Sequence, residues 1–273
     1  MKKVFKSPNL QATLGVIFLS LLLSSCRKEV FNSDLTKEFT LVSTANGATY
    51  NIKVAVPANF DSSTGKYSTI YVLDGKDNFA FVANKSQEIS SKKGTENVLV
   101  VSIGYGKDRS IDYTPTKMSS VTGGGPQFLH FIETQLIPKM VQDYRADTAR
   151  NSRVILGHSY GGLFGAFAFS VHNNVFGNYI ILSPSLWFDN LVSLQHEKDN
   201  RNKNKQVQQL VYLGIGDSEE ADRMKSPFET FYNALYENYT NIRVAKNYEK
   251  NTGHMDSRNP NIIKGLQYYF DNR

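Results

Sequence analysis

The chain has 273 residues, 40% of them hydrophobic and 12% aromatic, with 31 Lys and Arg against 25 Asp and Glu and a formal charge of +6. That length and apolar content exclude a disordered or low-complexity chain and suffice for one large core. Lys2, Lys3 and Lys6 precede an apolar run; without them 28 basic residues face 25 acidic ones, a balance that points to no nucleic-acid partner.

The basic start and the run from Leu14 to Leu23, short for a bilayer span, read as a secretory signal peptide over residues 1–25. Leu23-Ser24-Ser25-Cys26 resembles a bacterial lipobox, in which the cysteine becomes the lipidated first residue of the mature protein. Cys26 is the only cysteine, so no internal disulfide uses it. The expectation is an exported lipoprotein, membrane-anchored and facing the periplasm or cell exterior, with residues 26–35 as a tether and 36–273 as one domain. An incidental Cys26 behind an ordinary cleaved signal, or an uncleaved anchor, is the alternative.

Two alternating segments around Asn46-Gly47 predict a hairpin at the start of the domain. "STIYVLDG" reads as a buried strand, "FAFVANKSQEISSKK" as a helix and "ENVLVVSIGYG" as a second buried strand. Phe128, Phe131, Ile132, Leu136 and Met140 recur at helical spacing, with a kink expected at Pro138. A strand-turn-helix over Val154–Phe169 follows, then a strand in "NYIILSPSL". The mixed-charge stretch Glu197–Lys205 reads as a solvated loop. "QQLVYLGIGDSEE" is a strand, "PFETFYNALYENY" a helix, "IRVAKNYEK" a strand and "NIIKGLQYYF" a closing helix. Strands alternating with helices, several of them continuous apolar runs, indicate a mostly parallel central sheet with helices on both faces.

The stretch "VILGHSYGGLFGAFAF" carries the chemistry. An ordinary turn needs no serine framed by glycines, whereas G-x-S-x-G lets the backbone turn tightly enough to present Ser159 as an exposed nucleophile. A serine hydroxyl needs a base. His158 is expected to point away as support, His130 to be a partly buried helix residue, and His172 and His196 have no distinctive setting. His254, in the late loop "NTGHMDS", stands where the order serine, acid, histidine places the base. The acid must come after "LVYLGIG", where Asp217, Glu219 and Glu220 crowd together; Glu219 is chosen, with Asp217 in reserve. The oxyanion donors expected are the backbone N–H groups of Tyr160, next to the nucleophile, and Lys76, after "STIYVLDG".

"VLDG", "SIGYG" followed by "RSIDYTP", "FLHFIETQLIP", "GHSYGGLFGAFAF", "SPSLWFDN" and "GHMDS" occur in an order that resembles the enterochelin esterase-like branch of the esterase D family, from about Tyr50 onward. The resemblance implies an α/β-hydrolase fold, with Ser159 and His254 as nucleophile and base, no metal and no organic cofactor. In some siderophore esterases of this branch a serine–histidine pair carries most of the reaction, which bears on Glu219. Trp187 in "SPSLW" resembles a substrate-facing residue, or it covers the sheet edge; Arg109 and Tyr113 line the cleft, or they hold their loop. The expected function is an extracytoplasmic serine esterase acting through an acyl-enzyme on a siderophore-type or acyl-carbohydrate ester. An acyltransferase on the same scaffold, or a silent surface binding protein, is the alternative. An extracytoplasmic position argues against S-formylglutathione as substrate.

Overall fold

A computed structural model of the chain describes residues 32–95 and 98–273. The expected signal peptide and Cys26, with most of the tether, lie outside the described residues. Strand β1 (Thr36–Val42) and strand β2 (Thr49–Ala55) form the expected antiparallel hairpin, with Gly47 at φ 68° in its turn. Strand β3 (Ser68–Val72) leads into helix α1 (Gly75–Lys92), and strand β4 (Val98–Ile103) follows. Short helix α2 (Arg109–Tyr113) interrupts what reads in sequence as a long loop. Next come α3 (Gly125–Phe131) and α4 (Ile137–Tyr144), joined by a π-helical turn over Ile132–Leu136. The distortion expected at Pro138 appears as this widened turn, because proline has no N–H to donate and the Ile137 N–H reaches back five residues to the Ile132 carbonyl.

The second half alternates regularly: β5 (Arg153–His158), α5 (Tyr160–Val171), β6 (Asn178–Leu182), α6 (Phe188–Asn204), β7 (Gln209–Gly216), α7 (Ser226–Asn238), β8 (Ile242–Glu249) and α8 (Arg258–Asn272). Helix α6 corrects the reading of Glu197–Lys205 as a solvated loop. Glu197 is buried, pairs with Arg201 one turn on, and accepts a hydrogen bond from the Tyr239 hydroxyl, so the charged run is helical and anchored to the core. His130, expected to be partly buried, is exposed on α3.

The eight strands of the described residues form one sheet in the order β1-β2-β4-β3-β5-β6-β7-β8, antiparallel at β1-β2-β4 and parallel from β4 to β8. Its two apolar faces are both covered. Phe79, Val82, Ile262 and Leu266 of α1 and α8 pack on one; Phe128, Phe164, Phe169, Phe228 and Phe231 of α3, α5 and α7 pack on the other. Each such fully buried large side chain contributes roughly 1.5–3 kcal/mol relative to exposure. This is the α/β-hydrolase fold. The chain runs from β3 outward to β4, then returns to place β5 on β3's other side. The carboxyl ends of β3 and β5 therefore flank a topological switch point, where open α/β sheets bind ligands.

Two close backbone approaches make the β5–α5 turn possible. A Cβ on Gly157 would lie 2.3 Å from the Gly161 carbonyl oxygen, and one on Gly162 would lie 2.8 Å from the Leu182 carbonyl oxygen. The glycine frame is thus a packing requirement of the corner. Gly157→Ala is expected to cost about 2 kcal/mol or more, the upper range for overpacking a core, and to lower the thermal midpoint by roughly 4–8 °C. An unchanged melting curve would contradict this.

Candidate active site

Ser159 sits at φ 60° and ψ −117°, a backbone conformation that side-chain-bearing residues rarely adopt. Backbone hydrogen bonds fix it there. Its N–H donates to the Leu182 carbonyl at 2.9 Å, and its own carbonyl accepts from Leu163 at 2.9 Å and from Ser185 at 3.1 Å. The Ser159 hydroxyl lies 3.4 Å from that of Ser185. Tyr160 opens α5, so its N–H is one of the helix N-terminal donors that have no intrahelical carbonyl to bond.

The acid and the histidine come from neighbouring loops after β7 and β8. The Asp217 N–H donates to the Glu249 carbonyl at 3.0 Å and the Ser218 N–H to the Thr252 carbonyl at 3.1 Å, joining the two loops. The Glu219 carboxylate accepts from His254 Nδ1 at 2.8 Å, from the Ser183 hydroxyl at 2.6 Å and from the Gly216 N–H at 3.0 Å. Burial pushes this carboxyl up, but the hydrogen bonds from His254, Ser183 and Gly216 outweigh it and hold the group below its ordinary value. An ionised carboxylate only accepts, so Nδ1 carries a proton and Nε2 is the ring nitrogen left to exchange one. Asp217, the reserve, accepts instead from the Ser218 hydroxyl beside it and from the Thr252 N–H of the loop after β8.

His158, turned away from the serine, has a clear task. Its Nε2–H donates to the His254 carbonyl at 2.8 Å, and the two rings lie 4.6 Å apart. Burial foremost, then the neighbouring His254, lowers its pKa to about 3, so it stays neutral under the His254 loop.

Ser159, Tyr160, Glu219 and His254 line one cavity of about 550 Å³ together with Arg109, Ser185, Trp187, Ser218, Glu220, Arg223 and Met224. Of the residues expected at the cleft, Arg109 and Trp187 are there and Tyr113 is not. Tyr113 is buried in the core and its hydroxyl accepts the Asp74 N–H at 2.9 Å; it supports the loop rather than facing a ligand. Arg109 grips Asp74 through Nε at 2.5 Å and Nη2 at 2.9 Å, and also donates to the His158 carbonyl at 3.1 Å. A bidentate guanidinium so held ties the ends of β3 and β5 together beside Ser159.

Lys76 does not reach this cavity. Asp74 takes a left-handed conformation ahead of α1, and Gly75 packs so tightly on Ser102 that the first turn of α1 borders a second cavity with Ser102, Gly104 and Tyr105. Asp74 is bonded to Arg109 in the first cavity and to Tyr105 in the second, and so stands between the two. Asp74, Ser183 and Arg223 were not singled out from sequence. The positive φ of Asp74 and Ser183 has no sequence signal, although "VLDG" does mark Asp74 as a turn residue.

Residues 43–265 match the protein-family model described as "Putative esterase". The chain belongs to this family. It is 28% identical over 224 residues to the ferri-bacillibactin esterase BesA of Bacillus subtilis, covering 72% of this chain and 76% of that one. It is 30% identical over 166 residues to the siderophore triacetylfusarinine C esterase of Aspergillus fumigatus, a match that spans 56% of each protein. Among solved structures, an IroE-like serine hydrolase from Shewanella oneidensis superposes with a TM-score of 0.77 at 25% identity, covering 86% of this chain and 80% of that one. Among the described residues no cluster of three or more His, Cys, Asp or Glu is placed to hold a metal ion.

The depressed His158 value sets a pH test. Between its unfolded value near 6.5 and the native value of about 3, the unfolded chain binds the extra proton, so stability falls as pH falls through that window. Chemical denaturation at neutral pH and near pH 4 is expected to show a smaller loss on acidification for His158→Gln than for the parent. An equal loss would contradict the assignment.

Proposed function

We propose that the protein is an extracytoplasmic serine carboxylic-ester hydrolase that cleaves siderophore-type esters through an acyl-enzyme. The observation that carries this reading is the Glu219–His254 pair, with Nδ1 bound to the carboxylate, opening onto the cavity where Ser159 stands on its strained turn. The ester chemistry is supported by the family, and the siderophore substrate by the two siderophore esterases described above.

In this reading the Ser159 hydroxyl oxygen attacks the ester carbonyl carbon and gives its proton to His254 Nε2. Glu219 stabilises the imidazolium that forms. The carbonyl π electrons move onto oxygen, where the Tyr160 N–H at the head of α5 donates to the oxyanion. The tetrahedral adduct collapses, the ester C–O bond breaks, and His254 returns the proton to the leaving alcohol. Water then attacks the acyl-serine with the same base, releasing the acid and restoring Ser159. Lipidation at Cys26 would hold this domain at a membrane surface.

A hydrolysis panel of p-nitrophenyl acetate, methyl ferulate, acetylated xylan and enterobactin tests the proposal. Cleavage of the short-chain ester and the trilactone is expected, falling at least about a thousandfold in Ser159→Ala and about a hundredfold or more in Glu219→Gln. Equal rates from the parent and Ser159→Ala would refute it. For the location, Cys26→Ser is expected to move the protein from the membrane to the soluble fraction of the expressing bacterium; unchanged membrane retention would count against lipid anchoring.

A further inference from the structure

The geometry points to Arg223 as a specificity-determining residue that recognises an anionic group on the substrate. This inference rests on the ester-hydrolase reading for what the cavity binds, and adds a charge to that ligand. The wall that leads away from the nucleophile is aromatic. Tyr160 follows Ser159 directly, its ring centroid lies 6.2 Å from that of Trp187, and the Arg223 guanidinium carbon lies 3.9 Å from the Trp187 centroid. All four residues line the same cavity.

Arg223 is carried by a π-helical turn, Ala221–Lys225, between the acid loop and α7. That turn is anchored on both sides of the arginine. Met224 is buried in the core, and Lys225 Nζ donates to the Asp217 carbonyl at 2.9 Å. Single π turns of this kind occur disproportionately at functional positions.

The charge of Arg223 is not spent inside the protein. Arg109 pairs with Asp74 and Arg201 with Glu197, whereas among the described residues no carboxylate lies within ion-pair distance of Arg223. Glu220 borders the same cavity without pairing with it. Stacking on an indole uses the face of the guanidinium and fixes its plane, while the N–H donors lie in that plane and stay available. A planar cation with free in-plane donors, held at the end of an aromatic wall, is suited to a carboxylate or similar oxyanion on a flat ligand.

Trp187 is the chain's only tryptophan, so its emission reports on this wall directly. Ser159→Ala protein is titrated at neutral pH with phenyl acetate and with 4-acetoxybenzoate, the same ester carrying a ring carboxylate. The anionic ester is expected to bind with a midpoint at least about fivefold lower than the neutral one, as a charge-assisted contact allows. Added salt should weaken only the anion. Placing Arg223→Gln in the same background should bring the two midpoints within about twofold, and Arg223→Lys should keep part of the preference. Equal midpoints before the second substitution, or a preference that survives Arg223→Gln, would overturn the inference. Because Ser159 is absent throughout, these outcomes are independent of turnover, and failure of the hydrolase reading would show only in the hydrolysis rates.

Discussion

The backbone strain at Ser159 is the constraint around which the molecule is arranged. A residue with a Cβ held at φ 60° and ψ −117° persists only if its surroundings enforce it. Here the enforcement comes from three directions: the Leu182 carbonyl of the neighbouring strand, the Leu163 N–H of the helix that follows, and the Ser185 N–H of the next loop. Gly157 lets the first turn of α5 approach the end of β5, and Gly162 lets the Leu182–Pro184 backbone approach α5. The parallel register of β5 with β6 is therefore a condition of the site as well as of the core.

From that corner the rest of the site follows by adjacency. β6, β7 and β8 lie side by side, so the loops at their carboxyl ends meet. Ser183 after β6 bonds Glu219 after β7, and Glu219 bonds His254 after β8. His158, at the end of β5, closes the circuit through the His254 carbonyl. Four consecutive strands thus supply one connected polar network, and its members His254 and Glu219 line the cavity. On the opposite side, Asp74 after β3 holds Arg109, which reaches back to the His158 carbonyl, so Ser159 is braced from both sides of the switch point.

The parts legible in sequence are those encoded by local pattern and chain order. Ser159 announces itself through G-x-S-x-G between an apolar strand and an apolar helix, and His254 through a late Gly-containing loop. Among the acids after β7, the structure turns Glu219 inward to His254, while Asp217 accepts from Ser218 beside it and from Thr252 of the β8 loop. Lys76 lines the second cavity because the direction of the first turn of α1 depends on the left-handed conformation of Asp74 and on Gly75 packing against Ser102, and neither has a sequence signature. Helix α6 is illegible for a similar reason: Glu197 looks solvated in sequence, and its partners Arg201 and Tyr239 meet it only in the folded chain. Arg223 met Trp187 through tertiary packing alone.

The central claim is that Ser159 is an activated nucleophile and His254 the base that activates it. Treatment with a fluorophosphonate, followed by peptide mass spectrometry, tests it most directly. A single adduct is predicted on the peptide carrying Ser159, with labelling slowed by orders of magnitude in His254→Ala. No adduct on Ser159, or labelling equally fast without the imidazole, would contradict the account.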